Sequence, residues 1–180
     1  MTTKPDTRCA QPVAAAVARD GRDPATWSPD ALAAIQAVLD RSRATAGAAV
    51  LATFDHAERR LGAAEFVAFW NGIRTKAMAT CAADGTPHLA PVHAEFFDGR
   101  LRSTIYENAV RRRDLRTNPR VSFTTWGPHG AAAIVHGIAR EIPDSLRDTR
   151  PGANGEARRT VGLDIEVTRI YAMQAREGRD

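Results

Sequence analysis

The sequence predicts a mainly β, α+β fold in which six antiparallel strands form a small barrel flanked by helices. Three observations carry this expectation. Two Asp-Gly dipeptides, Asp84-Gly85 and Asp98-Gly99, stand 14 residues apart, each between two strand-like segments. Turn signals, including Gly127-Pro128-His129-Gly130, separate the segments that follow as far as Pro143. The stretch Val161 to Met173 alternates, with Val161, Leu163, Ile165 and Val167 on one face.

Residues 1–26, with Pro5, Pro12, Gly21 and Pro24 among scattered charges, read as a flexible N-terminal arm. A helical extension is expected over 27–60. Ser28 is suited to cap a helix, Pro29 fits its first turn, and Asp30 complements its dipole. Trp27 and Leu32 occupy the two positions of a hydrophobic staple, and Leu32, Ile35 and Leu39 recur at helical spacing to about Arg43. The alanine-rich segment Ala44 to Phe54 is compatible with helix or strand. A further helix is expected from Ala63 to Trp70, stopped by Asn71-Gly72. Strands are expected at 73–82, 87–97, 100–106, 120–126, 131–142 and 161–173, with a short arginine-rich helix from Ala109 to Thr117. Both Asp-Gly pairs suit a type I′ turn, whose two central residues need positive φ. Residues 144–159 read as a polar loop with Pro151, Gly152 and Gly155.

A chain of 180 residues suffices for one domain with a substantial core. Its 43% hydrophobic and 26% charged residues are ordinary for a globular protein. The net charge is only +4, with arginines concentrated in 100–120 and 140–159, which favours a local anion site over a nucleic-acid surface. Cys9 and Cys81 are too few for a disulfide framework or a metal site, and Cys81 is expected to be a small buried apolar residue. No apolar run approaches the roughly 20 residues that span a bilayer, and the N-terminus lacks a signal-peptide pattern, so the expected location is cytoplasmic.

The residues that point to chemistry are Arg111-Arg112-Arg113, with Arg116 one turn on. A helix N-terminus gathers unpaired N–H groups and partial positive charge, and arginine forks bond phosphate oxygens strongly. Ser103 and Thr104, near the end of the preceding strand, are candidates to donate hydroxyls to the same anion. By charge pattern alone, such a run reads as a solvated helix face. His88, His93, His129 and His136 lack metal-ligand spacing; His129 reads as a turn residue, His88 as a strand-surface residue, and His93 as one directed into a pocket.

The order of these pieces resembles the pyridoxamine 5′-phosphate oxidase-like family of flavin-binding split barrels. The matching residues are Ala79-Thr80 before Asp84-Gly85-Thr86-Pro87-His88, then Pro91-Val92, Asp98-Gly99-Arg100-Leu101, and Leu115 with Asn118-Pro119-Arg120-Val121. Val135-His136-Gly137-Ile138-Ala139 and Ile165 to Tyr171 are similar to the family's fifth and closing strands. The resemblance implies a six-stranded antiparallel split β-barrel domain over 61–180, with flanking helices and the N-terminal helical extension outside the core resemblance.

It also implies a homodimer with FMN, or in some branches the deazaflavin coenzyme F420, at each interface. Arg111, with Arg112 beside it, takes the place of the basic residue, more often Lys, that binds the cofactor phosphate. Pro91, Val92 and His93 occupy the strand whose backbone lies along the isoalloxazine ring, and Trp126 is a candidate cover for the ring of the neighbouring subunit. The implied activity is hydride or electron transfer to a small organic substrate, with no protein nucleophile or acid–base dyad required. The chain lacks the arginine- and tryptophan-containing C-terminal signature of true pyridoxamine 5′-phosphate oxidases, so the vitamin B6 reaction is not expected. The rival from another class is a non-catalytic flavin- or heme-binding protein, with His93 or His136 as heme ligands.

Overall fold

The computed structural model describes residues 20–149 and 158–176. The first 19 residues of the expected arm, Cys9 included, and the loop residues Pro151, Gly152 and Gly155 lie outside the described residues. Helix α1 (Pro29–Ala44) begins as its sequence dictates: the Ser28 side chain accepts the Ala31 N–H at 3.2 Å, and Asp30 sits in the first turn. Its Ile35 and Leu39 are buried against the sheet, each such burial contributing about 1.5–3 kcal/mol. Ser42, one turn on, donates to Val38 O at 2.6 Å and accepts the Ile170 N–H at 2.9 Å, tying the helix to the last strand. The ambiguous alanine-rich segment contains helix α2 (Ala48–Phe54).

Helix α3 (Ala63–Gly72) runs two residues past the expected end at Trp70. The reason lies in Asn71, whose amide donates to Phe96 O and accepts the Phe96 N–H, each at 2.9 Å, and so continues the helix onto the sheet. Phe66, Trp70 and Phe96 form the aromatic centre of the core, with ring centroids 5.4–6.0 Å apart and the Trp70 indole N–H donating to Ala94 O at 2.9 Å.

The strands are β1 (Lys76–Cys81), β2 (Pro87–Val92), β3 (Ala94–Phe97), β4 (Arg100–Tyr106), β5 (Arg120–Trp126), β6 (Ala132–Glu141), β7 (Arg147–Asp148) and β8 (Arg159–Met173). Helix α4 (Val110–Thr117) lies between β4 and β5. All pairings are antiparallel, in the order β2-β1-β5-β6-β8-β4-β3, with β7 on β8. The two ends of that path, β2 and β3, are separated only by His93, so one interrupted strand ties the curled sheet to itself.

The expected six strands become eight because 87–97 breaks at His93, whose two halves pair with different neighbours, and because Arg147–Asp148 adds a short strand in the polar loop. The second Asp-Gly turn has positive φ at both Asp98 (47°) and Gly99 (80°), as a two-residue type I′ turn requires. In the first turn only Gly85 has positive φ, so it is not type I′. The Gly85 N–H donates to Ala82 O at 3.0 Å, and the Asp84 carboxylate accepts the Thr86 N–H at 2.9 Å, which together make a longer turn. Cys81 is half-buried instead of buried, because it ends β1 on the outward-facing register of that strand.

A β-bulge reshapes the long last strand. His136 pairs with Arg169 and Gly137 with Val167, so Thr168 has no opposite residue. The buried positions accordingly switch from Val161, Leu163 and Ile165 to Ile170 and Ala172, and Val167 is only partly buried. At Gly137 a Cβ would lie 2.5 Å from Ile165 Cγ2 and 2.7 Å from Glu166 O, so the close strand approach at the bulge requires glycine.

Candidate functional site

Helix α4 separates its arginines into different roles. Arg112 makes a forked pair with Glu141, Nε to Oε1 at 2.7 Å and Nη2 to Oε2 at 2.8 Å, and Arg116 Nε stands 3.5 Å from the same carboxylate. This fork holds the Glu141 carboxyl below its usual range and raises the Arg112 guanidinium. Arg112 is therefore committed to the end of β6. Arg111 differs: its Nε–H is buried without a hydrogen-bond partner, and no carboxylate pairs with it among the described residues. A buried, unpartnered guanidinium N–H is rare because it forfeits hydration without a replacement acceptor. An anionic oxygen fits it.

The same helix is anchored from below. Asp114, its side chain only 4% exposed, accepts the Thr80 hydroxyl at 2.6 Å and the His88 Nδ1–H at 2.8 Å. Thr80 and His88 are a cross-strand pair of the β1–β2 hairpin, so the carboxylate pins α4 to that hairpin and fixes the turn that carries Arg111. His88, expected as a strand-surface residue, lies on β2 with its side chain 29% exposed and commits Nδ1 to Asp114. Burial alone would push the Asp114 carboxyl up, yet the hydrogen bonds from Thr80 and His88, with the His88 and Arg113 charges, hold it below its ordinary value. A depressed carboxylate contributes stability that is complete above its unfolded pKa, about 4, and is lost as pH falls through the folded value. Asp114→Asn is expected to lower stability at neutral pH and to flatten its decline below about pH 4. Denaturant midpoints measured across that range check this, and wild-type and variant curves that stay parallel would contradict it.

Two hollows flank the outward edge of the interrupted strand. One, of about 430 Å³, brings Pro91 together with Trp126 and is otherwise lined mainly by Ile73, Ala77 and Leu89. The other, of about 300 Å³, is lined by His93, Glu95, Phe97, Arg102, Ser103 and Thr104. Val92, between Pro91 and His93, is buried in the barrel, and neither Arg111 nor Arg112 lines these hollows. Ser103 and Thr104 are successive strand residues and point to opposite faces. The buried Ser103 hydroxyl donates to His93 O at 2.7 Å, tying β4 to the strand break, whereas Thr104 faces outward. Trp126 is exposed beside the Pro91 of its own chain. His136 accepts or donates through Nδ1 to Ser122 Oγ at 2.7 Å, and burial, with Arg169 nearby, lowers its pKa.

Reading the sequence missed Asp114, Glu141 and Leu89. The hairpin register places Thr80 opposite His88, and the helical step from Arg111 to Asp114 puts a carboxylate one turn on, but only the tertiary approach of α4 to β1 unites them. Among the described residues no three His, Cys, Asp or Glu side chains gather as a metal-ligand set, and no helix is long and apolar enough to cross a membrane.

The profile of the family described as pyridoxamine 5′-phosphate oxidase matches residues 63–174, from the start of α3 to just past β8. A comparison with curated proteins gives no match. Among solved structures, a conserved hypothetical protein from Mycobacterium tuberculosis is similar with a TM-score of 0.54 at 23% identity, over 66% of this chain and 88% of the other. A FAD-binding protein from Mesorhizobium loti gives a TM-score of 0.49 at 22% identity, over 64% of this chain and 96% of the other. For an F420 reductase the TM-score is 0.44 at 20% identity, with 53% and 87% of the two chains covered. At these identities the likeness concerns the fold, which is the split barrel expected from the sequence.

Proposed function

We infer from one premise, that the chain belongs to the pyridoxamine 5′-phosphate oxidase family, that it is a dimeric oxidoreductase acting on a small organic substrate through FMN or, alternatively, coenzyme F420. The observation that carries this reading is the buried, unpartnered Nε–H of Arg111. Both cofactors bring a phosphate, and a phosphate oxygen is the acceptor that this donor lacks. Arg111 would hold that group, Asp114 holds the helix turn under it, and the outward edge at Pro91 and His93 would lie along the ring. Arg112 supports the arrangement indirectly, by fixing α4 to Glu141.

When bound, such a ring supplies transfer of a hydride or of single electrons. The chain's own share is to bind, orient and shield. No nucleophile is needed, and the hydrogen-bonded pairs His88–Asp114 and Ser122–His136 serve to hold elements together.

The dimer follows from the same premise and is supported by large apolar side chains left exposed on one chain outside the Pro91–Trp126 hollow, Phe97 and Tyr106. The expected sedimentation profile is that of a dimer, and a monomer with full cofactor occupancy would contradict it. The absorbance spectrum of the purified protein tests the cofactor class. Flavin or deazaflavin bands support the reading; a Soret band, or failure to bind either ring on titration, overturns it.

A further inference from the structure

We propose that the hollow formed by Leu89, Pro91 and Trp126 seats the substrate, and that it selects an uncharged, planar, mainly apolar molecule over an anionic one. This rests on the oxidoreductase reading and deepens it, because that reading leaves the substrate class open.

The argument begins with charge. Ile73, Ala77, Leu89, Pro91 and Trp126 give this hollow an apolar wall. Its one ionisable neighbour, Lys76, is 0% exposed: the ammonium donates to Ile73 O and lies 5.3 Å from the centre of the Trp70 ring. Thr125 is also buried, its hydroxyl directed to Thr75 O at 3.4 Å. A carboxylate or phosphate placed here would lose its hydration, and the one cation in the lining, Lys76, is fully buried with its ammonium already donating to Ile73 O, so no exposed counter-charge repays that cost. A volume of about 430 Å³ falls in the range of small-molecule sites, and an exposed indole offers a planar ligand a stacking surface.

Position completes the argument. The neighbouring hollow carries Glu95, Arg102, His93 and Thr104, whereas in the first one Lys76 and Thr125 are buried and Thr75 is the one exposed polar residue. Pro91 belongs to one hollow and His93 to the other, and two residues along a strand span about 7 Å. A cofactor ring laid along that edge would therefore meet an occupant of the apolar hollow in direct contact, as hydride transfer requires.

The test uses a matched pair of probes, naphthalene-2-carboxamide and naphthalene-2-carboxylate, titrated into the full-length protein with tryptophan emission as the readout. Trp126 is 68% exposed while Trp27 and Trp70 are 6% and 0% exposed, so a ligand in this hollow reports through Trp126. The amide is expected to change the emission saturably and at least tenfold more tightly than the carboxylate. Trp126→Phe should remove the signal, and Leu89→Asp should weaken amide binding at least tenfold. Equal affinity for the two probes, a signal that survives in Trp126→Phe, or displacement of the amide by FMN or F420 would overturn the proposal. Displacement would leave the oxidoreductase reading intact. Conversely, amide binding by a protein that takes up neither cofactor would retain the apolar site and remove that reading.

Discussion

Arg111→Ala is expected to weaken FMN or F420 binding by about 1.5–3 kcal/mol, the range for hydrogen bonds to charged groups, which is roughly a 10- to 150-fold rise in dissociation constant. The reason is specific to this arginine. Its Nε–H is buried and unpartnered in the chain alone, so a cofactor phosphate gains a donor that has no competing acceptor. Arg112 offers the informative contrast, because its fork is already held by Glu141 at 2.7 and 2.8 Å. Substituting Arg112 should loosen the attachment of α4 to β6, so its effect should appear in thermal stability more than in cofactor affinity. Fluorescence titration of both variants checks this pair of expectations. Equal losses of affinity would show that the arginines act as a general cationic surface, without the division of labour argued here. Arg111→Lys provides a finer probe: it keeps the charge and loses the fork, so an intermediate affinity is expected.

Gly137→Ala is expected to destabilise the fold by about 1–3 kcal/mol, the usual cost of forcing extra atoms into a packed region. The added Cβ would meet both the Ile165 side chain at 2.5 Å and the Glu166 carbonyl at 2.7 Å, and a backbone carbonyl cannot swing away as a side chain can. Relief requires the β6–β8 strands to separate at the bulge, where Gly137 pairs with Val167. Thermal melting should show a midpoint lowered by several degrees in a domain of this size. An unchanged midpoint would mean that the bulge relaxes freely and that the close approach is not a constraint. Because Gly137 lines neither outward hollow, cofactor affinity below the melting range should be preserved.

Local rules explain most of the agreement between sequence and fold. Strands β4 and β5 occupy the expected ranges 100–106 and 120–126, each bounded by turn or helix signals that act over a few residues. Ser28, Pro29 and Asp30 start α1 by local capping chemistry alone. The departures arise where distant contacts decide. The break at His93 has no local signal, because it follows from two halves of one segment finding different partners. Asn71 lengthens α3 because Phe96 is there to receive it.

From the residues themselves the candidate site is legible as a charge pattern, and Pro91, Val92, His93 and Trp126 enter it only through the family resemblance. Three consecutive arginines indicate an anion, but their sequence does not say that Glu141, 29 residues beyond Arg112, already serves as one. Nor does it say that Asp114, Thr80 and His88 meet beneath the helix. Ser103 and Thr104 looked like a pair in sequence, and the alternation of a strand separates them onto opposite faces. Pro91 and Trp126 lie far apart in the chain and share a hollow because β1 pairs with both β2 and β5.

The central claim is that Arg111 holds the phosphate of a flavin or deazaflavin cofactor. A crystal structure of the protein grown with FMN or F420 tests it most directly. The account predicts a phosphate oxygen at hydrogen-bonding distance, about 2.7–2.9 Å, from Arg111 Nε. A cofactor bound elsewhere, with that Nε–H still lacking an acceptor, would contradict it.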